Sequence, residues 1–185
     1  MQRSNKRKIS ELAKHAAVSK KYGQLLRRIM DYYKLNSALE LGTSLGIGTA
    51  YLSINGAKLT SLEGCPKIAE QAQQNFKNLF IETIDLKVGE FSDSFSDLKK
   101  DQFDLIYIDG NHTEEATLSY FNRFLSNAHN ATFLIFDDIR WSKGMENAWQ
   151  KIIQSKEINV SIELLRMGIV LKRKEQTKQH FVLKF

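Results

Sequence analysis

Short apolar runs alternate with longer amphipathic stretches through most of the chain. Five runs have the length of a buried strand, and they are Ala38–Leu41, Lys58–Leu62, Ile84–Val88, Phe103–Ile108 and Thr132–Phe136. The intervening and following stretches predict helices at Gly48–Ile54, Pro66–Phe80, Phe91–Leu98, Glu114–Asn127 and Met145–Gln154. Strands that alternate with helices predict a doubly wound α/β fold, in which helices cover both faces of a parallel sheet.

The two ends of the chain depart from this alternation. Near the C-terminus, Val160–Arg166 and Gly168–Arg173 are strand-like runs with no room for a helix between them, so we expect an antiparallel pair. Phe181–Phe185 is a candidate edge strand. Near the N-terminus, Ile9 to Ala16 and Leu25 to Met30 have helical spacing, which predicts two helices broken near Ser19–Gly23.

Charge divides the chain unevenly. The 185 residues suffice for one domain, and the net charge is +6. Residues 1–34 hold 10 Lys/Arg and 2 Asp/Glu, whereas residues 35–185 hold 17 and 19. We therefore predict a basic N-terminal tail with helices over 1–34, followed by one globular unit over 35–185. The basic head either contacts nucleic acid or another acidic surface, or is a solvated helix face, which is the simpler interpretation.

The single cysteine, Cys65, excludes an internal disulfide framework and favours a reducing compartment. No apolar run approaches the ~18 residues of a membrane span. The basic N-terminus lacks the apolar stretch of a secretory signal. We therefore expect a cytoplasmic chain with no membrane partner.

The stretch from Ala38 to Thr49 carries the clearest chemical signal. An apolar strand leads into the loop Gly-Thr-Ser-Leu-Gly-Ile-Gly, whose spacing fits neither the dinucleotide motif G-x-G-x-x-G nor a P-loop. A carboxylate beside this loop favours a ligand with an ammonium group, and S-adenosylmethionine (SAM) has one. The predicted cofactor contacts in this stretch are Glu40, Gly42, Thr43, Ser44, Gly46 and Thr49.

Two further strand ends are predicted to complete the cofactor site. Glu63 ends the second strand, where a carboxylate can accept hydrogen bonds from both ribose hydroxyls. Taken alone, Glu63 can also be an exposed acid at a strand end. Gly89 and Glu90 follow the third strand, at a place where their loop would flank the adenine.

Acidic residues follow the fourth and fifth strands. Parallel neighbouring strands bring Asp109 to the same sheet edge as Asp137 and Asp138, where three carboxylates repel one another unless protons or a cation intervene. Oxygen ligands suit Mg²⁺, so these residues are a candidate metal site. Alternatively, Asp109 contacts the cofactor while Asp137 or Asp138 caps the next helix.

His112 lies three residues beyond Asp109, at the same predicted pocket mouth. Its imidazole can accept a proton from an acceptor hydroxyl near neutral pH, so His112 and Asp109 are the predicted catalytic pair. Alternatively, His112 caps the following helix or binds the metal. Trp141, Lys143 and Met145 either line the acceptor pocket or pack at a helix start.

Together these motifs resemble a class I SAM-dependent methyltransferase, nearest to the catechol-type O-methyltransferases. The resemblance covers about Ile9 to the C-terminus and rests on the Leu-Glu-Leu-Gly-Thr-Ser loop, Glu63, the Ile-Asp-Gly-Asn-His and Phe-Asp-Asp-Ile segments and the closing hairpin. It implies a seven-stranded sheet whose last strand is antiparallel, a metal at Asp109, Asp137 and Asp138, and a base at His112, where relatives keep a lysine. Asp138 stands where relatives have Asn, and the N-terminal region is shorter than in many relatives.

The resemblance implies methyl transfer to a hydroxyl of a small molecule, with a homodimer as one possible assembly. An RNA methyltransferase recruited by the basic head is a second hypothesis. The Asp-Gly-Asn-His segment weakens it, because enzymes that methylate amino groups of nucleic acids usually have Asn/Asp-Pro-Pro-aromatic there. A non-catalytic cofactor-binding module, truncated from a longer ancestor, is the third.

Overall fold

Eight strands form one sheet in the computed structural model, which describes residues 18–53, 56–98 and 102–185. The strands are β1 (Ser37–Leu41), β2 (Lys58–Glu63), β3 (Ile84–Val88), β4 (Phe103–Ile108), β5 (Ala128–Phe136), β6 (Val160–Leu164), β7 (Met167–Leu171) and β8 (Gln179–Val182). The described α-helices are α1 (Lys20–Tyr32), α2 (Ile47–Leu52), α3 (Pro66–Asn78), α4 (Phe91–Ser94), α5 (Glu114–Phe124) and α6 (Lys143–Gln154). A 3₁₀ turn, Leu125–Asn127, follows α5.

The strand order is β3-β2-β1-β4-β5-β7-β6-β8, and β1 to β5 are parallel. Strand β7 lies antiparallel between β5 and β6, which confirms the doubly wound sheet and the antiparallel seventh strand. The predicted edge strand is also present, but it begins at Gln179 and runs parallel to β6, so the sheet has eight strands. Order reverses at β1, next to β4, which is where such sheets bind ligands.

Strand alternation divides the core between the two faces of the sheet. In β4, Leu105 and Tyr107 pack with Leu26 of α1 on one face. Ile106 and Ile108 pack on the other face, together with side chains of α5 and α6 such as Trp149. All four β4 side chains are buried, as expected for a central strand covered on both faces.

The first described helix corrects one expectation. Helix α1 begins at Lys20 and continues through Gly23, where the sequence predicted a break. A Cβ at Gly23 would lie 2.3 Å from the ring of Tyr51, so this glycine permits close packing of α1 on α2 rather than ending a helix. The predicted helix at Ile9 to Ala16 lies outside the described residues.

Other helix starts follow local sequence rules. Pro66 occupies the first turn of α3, where its missing N–H is not needed. The hydroxyls of Thr113 and Ser142 cap α5 and α6 by accepting from the backbone N–H of Ala116 and Met145. Neither His112, Asp137 nor Asp138 is therefore a helix cap. No helix in the described ranges is both long and apolar enough to cross a bilayer.

Candidate functional site

A cavity of about 470 Å³ opens where the carboxyl ends of the central strands meet. It lies at the predicted edge of the sheet, and its volume is in the usual range for small-molecule sites. Seven of the predicted site residues line it, namely Gly42, Ser44, Glu63, Glu90, Asp109, His112 and Asp138. Glu40 and Thr43 instead line a narrow pocket that shares Gly42, Ser44 and Asp109 with the cavity.

A second cavity, of about 660 Å³, lies beside α1, α2 and α3. Most of its lining side chains are apolar, and Arg27 is the one charged residue among the described residues that line it. Although it is larger and Gly46 lines it, no carboxylate or imidazole is among the described residues that line it. We therefore place the functional site in the smaller cavity.

The glycine loop after β1 brings backbone close to the cavity. Gly42 has φ +105°, and a Cβ there would lie 2.1 Å from the carbonyl oxygen of Asp109. Gly46 has φ +81° at the start of α2, and a Cβ there would meet the ring of Phe76 at 2.3 Å. Both positions therefore require glycine, and at Gly42 the requirement lies at the cavity wall.

Glu40 is fully buried beneath this loop. Its Oε2 accepts hydrogen bonds from Thr49 Oγ1 at 2.5 Å and Ser61 Oγ at 2.6 Å. Its Oε1 has no hydrogen-bond partner among the described residues. Burial raises the pKa of Glu40 to about 7, against the opposing effect of the two hydroxyl donors. An orphaned, buried carboxylate oxygen fits the predicted role of receiving a ligand's ammonium group.

Glu63 at the end of β2 is held by backbone donors. Its Oε2 accepts from Ser44 N–H at 2.8 Å and its Oε1 from Cys65 N–H at 2.9 Å. An ionised carboxylate has about four lone-pair sites, so each oxygen can accept one more hydrogen bond from a ligand. This arrangement, together with its place in the cavity wall, excludes the alternative of an exposed strand-end acid.

Of the other predicted cofactor residues, some line the cavity and others support the residues that do. Glu90 lines the cavity, and Gly89 beside it donates its N–H to the Glu63 carbonyl at 3.0 Å. The hydroxyl of Thr43 lies 2.5 Å from Ser61 Oγ, which itself donates to Glu40. Thr43 and Thr49 therefore support the site through hydroxyl contacts, and neither lines the main cavity.

Asp109 lies in the deepest acidic part of the site. Burial first, then the nearby carboxylates of Asp137, Glu40 and Asp138, raises the pKa of Asp109 well above its usual range. Its Oδ2 lies 3.2 Å from the hydroxyl oxygen of Tyr107. Burial and the neighbouring carboxylates therefore both favour the protonated form of Asp109.

Asp137 is fully buried, and its neighbours take up all of its hydrogen-bonding capacity. Its Oδ1 accepts from Asp138 N–H at 2.8 Å and from Arg166 Nε at 2.9 Å. Its Oδ2 accepts from Tyr107 Oη at 2.8 Å and from Arg166 Nη2 at 3.1 Å. These four bonds occupy the lone pairs of a carboxylate. Asp137 is therefore unsuited to the metal-ligand role that the sequence predicted for it.

His112, and not Asp137, lies with Asp109 and Asp138 in the group of side chains that faces the cavity. Its Nε2 lies 3.5 Å from Asp109 Oδ1 and 3.8 Å from Asp138 Oδ2. Within the described ranges, Asp109, His112 and Asp138 form the one group of potential metal ligands whose atoms lie within 4.8 Å of one another. The same Asp138 carboxylate is already paired, through Oδ1, with Arg166 Nε at 2.8 Å. Asp137 thus drops out of the predicted set of Asp109, Asp137 and Asp138, whereas Asp109 and Asp138 remain potential ligands together with His112.

Three non-glycine residues of the cavity wall have left-handed backbone. Ser44, Asn111 and Asp138 have φ +49°, +51° and +53°, and they follow β1, β4 and β5. Such conformations cost of the order of 1–3 kcal/mol each and cluster at functional sites. Their occurrence at three strand ends around one cavity supports its assignment as the site.

Aromatic side chains form the outer wall. Phe91, Tyr120 and Trp141 line the cavity, and Trp141 is 71% exposed. The predicted acceptor-pocket role is thus available to Trp141. Met145 is buried, with its sulfur accepting from Thr117, and Lys143 pairs with Glu146 outside the cavity, so these two pack at the helix start.

Comparisons with known proteins agree with the fold described above. The family model described as "Methyltransferase domain" matches residues 39–139. Cofactor-bound Rv0187 from MTB has a TM-score of 0.79 at 21% identity, with 89% of this chain and 86% of that chain covered. The O-methyltransferase from Bacillus cereus in complex with SAH (S-adenosylhomocysteine) has a TM-score of 0.75 at 19% identity, with 91% of this chain and 93% of that chain covered.

TomG, an O-methyltransferase from Streptomyces achromogenes involved in tomaymycin synthesis and solved with SAM, has a TM-score of 0.76 at 17% identity. The alignment covers 90% of this chain and 91% of that chain. No curated protein sequence matches the chain. At these identities the structural likeness establishes the shared fold, and the family model extends from β1 to the loop after β5.

Proposed function

Because the chain belongs to the methyltransferase domain family, we propose that it transfers a methyl group from SAM to a hydroxyl group of a small molecule. One observation carries the proposal: a single cavity brings the close backbone at Gly42 and the Glu63 carboxylate together with the His112 imidazole. The first two suit a nucleoside cofactor, and the third suits removal of a proton from an acceptor.

The β1 and β2 ends hold the cofactor in this proposal. Glu40 Oε1 receives the ammonium group, since it is the buried acceptor without a partner among the described residues. Glu63 accepts hydrogen bonds from the ribose hydroxyls with the lone pairs that its two backbone donors leave free. The chemistry that SAM supplies when bound is a methyl group on a sulfonium, a centre with a good neutral leaving group.

His112 acts as the general base in this proposal. Its Nε2 accepts the proton of the acceptor hydroxyl, and the Asp138 carboxylate at 3.8 Å offsets the charge of the imidazolium that forms. Asp109 Oδ1, which lies 3.5 Å from the same nitrogen, is the second carboxyl group beside the base. No step in this mechanism requires a divalent ion, because His112 supplies the proton acceptor.

The acceptor that fits best is a flat aromatic hydroxyl compound. Phe91 and Tyr120, with ring centroids 6.0 Å apart, and the exposed Trp141 give apolar faces on which such a ring can stack. The names of two structural neighbours, the Bacillus cereus enzyme and TomG, support transfer to oxygen.

The direct test combines calorimetry with a methyl-transfer assay. We expect the purified chain to bind SAM and SAH and to methylate members of a panel of phenols and catechols. Glu63→Gln should weaken SAM binding by about 10–100-fold, since charge-assisted hydrogen bonds to the ribose are lost. Glu70→Gln, on the exposed face of α3, is the matched control and should bind as the wild type does.

Two outcomes contradict the proposal and point to the other hypotheses. Absence of heat with both SAM and SAH would leave a module without cofactor chemistry. Cofactor binding with methylation of RNA, but of no phenol, and with RNA retention that weakens steeply with salt, would favour the RNA methyltransferase.

A further inference from the structure

The turn between β6 and β7 places the guanidinium group of Arg166 at the acidic end of the cavity. Gly168 of β7 pairs with Phe136 of β5, so the antiparallel register places Arg166 beside the residues that follow β5. Two backbone hydrogen bonds fix the turn: Ile139 N–H donates to the Arg166 carbonyl at 2.9 Å, and Arg166 N–H donates to the Leu164 carbonyl at 2.7 Å. The fold therefore fixes the backbone of Arg166 beside the acidic residues that follow β5.

The guanidinium of Arg166 bonds to both carboxylates after β5. Nε and Nη2 make a two-pronged pair with Asp137, at 2.9 and 3.1 Å. Nε also lies 2.8 Å from Asp138 Oδ1. The fork of a guanidinium matches a carboxylate in a way that a lysine ammonium does not, and the partner Asp137 is completely buried.

The ion pairs of Arg166 offset the repulsion that the sequence predicts among Asp109, Asp137 and Asp138. Three carboxyl groups close together need protons or a cation, and one fixed positive charge already touches two of them. A divalent ion held by Asp109, His112 and Asp138 would share the Asp138 carboxylate with the guanidinium and be repelled by it. It would also find the lone pairs of Asp137 occupied by Arg166, Tyr107 and the Asp138 amide.

We propose that Arg166 is the fixed cation of this acidic cluster, in the position of charge compensation that a divalent metal ion would otherwise hold. Arg166 acts as a positioning residue, because it holds the Asp137–Asp138 segment, and through Asp138 the surroundings of His112. Methyl transfer then proceeds in the presence of EDTA. This last consequence rests on the proposed function, whereas the metal-binding consequence does not.

The test is a Mn²⁺ titration followed by electron paramagnetic resonance, on the wild-type chain and on Arg166→Gln. The wild type should show no saturable Mn²⁺ site, with or without SAH. Arg166→Gln leaves the carboxylates uncompensated, so it should gain a saturable site for one Mn²⁺ ion per chain and melt at a lower temperature that Mn²⁺ raises again.

Two variants separate charge from geometry and from general effects. Arg166→Lys keeps the charge but loses the two-pronged pair, so it should melt lower than the wild type and still lack a saturable Mn²⁺ site. Arg173→Gln removes an arginine whose ion pair with Glu175 lies at the surface, and it should match the wild type in both measurements.

The proposal is overturned if the wild type binds Mn²⁺ saturably at one ion per chain, or if its methyl transfer stops in EDTA and returns with Mg²⁺. It is also overturned if a folded Arg166→Gln binds Mn²⁺ no better than Arg173→Gln. If Arg166→Gln does not fold, the wild-type titration still decides. A wild type that binds no SAM contradicts the proposed function and leaves the Mn²⁺ comparison able to decide the role of Arg166.

Discussion

Two acidic corners lie beside the cavity, one at Glu40 and one at Asp137, and they accommodate buried charge in opposite ways. At the end of β1, Glu40 keeps one carboxylate oxygen without a partner among the described residues, and its pKa is raised to about 7. At the end of β5, Asp137 is just as buried, but all its lone pairs are used and Arg166 neutralises it. The first corner keeps a free acceptor that a proton or a cationic group can occupy, whereas the second is complete within the protein. One is therefore suited to bind a ligand and the other to hold its own structure beside the acceptor.

The largest effect is expected from removal of the base, which tests whether the two corners act separately. His112→Ala should lower kcat about 10²–10⁴-fold, because the acceptor hydroxyl loses its proton acceptor. The Kd for SAM should change less than about twofold, since His112 contacts neither Glu40 nor Glu63. Single-turnover methyl transfer and calorimetry measure the two quantities.

The matched control is His180→Ala, in the exposed edge strand β8, where the ring contacts Ser161 far from the cavity. It should leave both quantities unchanged. A parallel loss of SAM affinity in His112→Ala would show that the two corners are not separable and that His112 belongs to the cofactor site.

The next largest effect is expected from a substitution that disturbs the β1 corner alone. Gly42→Ala places a Cβ 2.1 Å from the Asp109 carbonyl at a position with φ +105°, so the loop must shift. We expect SAM binding to fall by about 100-fold and the free energy of unfolding to fall by about 2–5 kcal/mol. Calorimetry and denaturant unfolding give these values.

Gly56→Ala is the control, because Gly56 also has a positive φ, +72°, but has open space around its Cβ position. It should cost only about 1–2 kcal/mol, the backbone contribution, with SAM binding intact. Equal losses in the two variants would mean that close approach at Gly42 has no special part in the site.

The smallest effect concerns the charge state of Glu40. Its folded-state pKa, about 7, lies above the ordinary 4.5, so its contribution to stability is present at pH 4.5 and lost as pH rises through 7. Glu40→Gln mimics the protonated form. Without cofactor, the variant should therefore exceed the wild type in free energy of unfolding by about 3 kcal/mol at pH 8, and the gap should shrink towards pH 4.5.

Cofactor binding should respond with the opposite sign. Only ionised Glu40 attracts an ammonium group, so wild-type SAM affinity should fall about tenfold from pH 8 to pH 6. In Glu40→Gln the affinity should be low and independent of this titration. Glu82→Gln, at an exposed position, should keep the wild-type profile. A pH-independent wild-type affinity would remove Glu40 from the ammonium site.

Local sequence rules predicted the frame of the site well. The parallel strands, their helices and the chain reversal that forms β6 and β7 follow from hydrophobic periodicity, and the glycine loop with Glu40 and Glu63 follows from a strand-loop-helix pattern. Strand β5 begins four residues before its predicted start, because a register shift between Phe103 and Leu105 lets the polar residues 129–131 continue the strand.

The sequence by itself determined which chemical groups stand at the ends of the parallel strands, since a strand of known length and direction fixes the edge at which its next residue emerges. Only the tertiary structure decided which of those groups are free for a ligand. Arg166 meets Asp137 across 29 residues of chain. That meeting depends on the register of an antiparallel pair, which periodicity does not specify, because a shift of two residues along β7 would satisfy the same apolar pattern and carry the guanidinium away from the carboxylates.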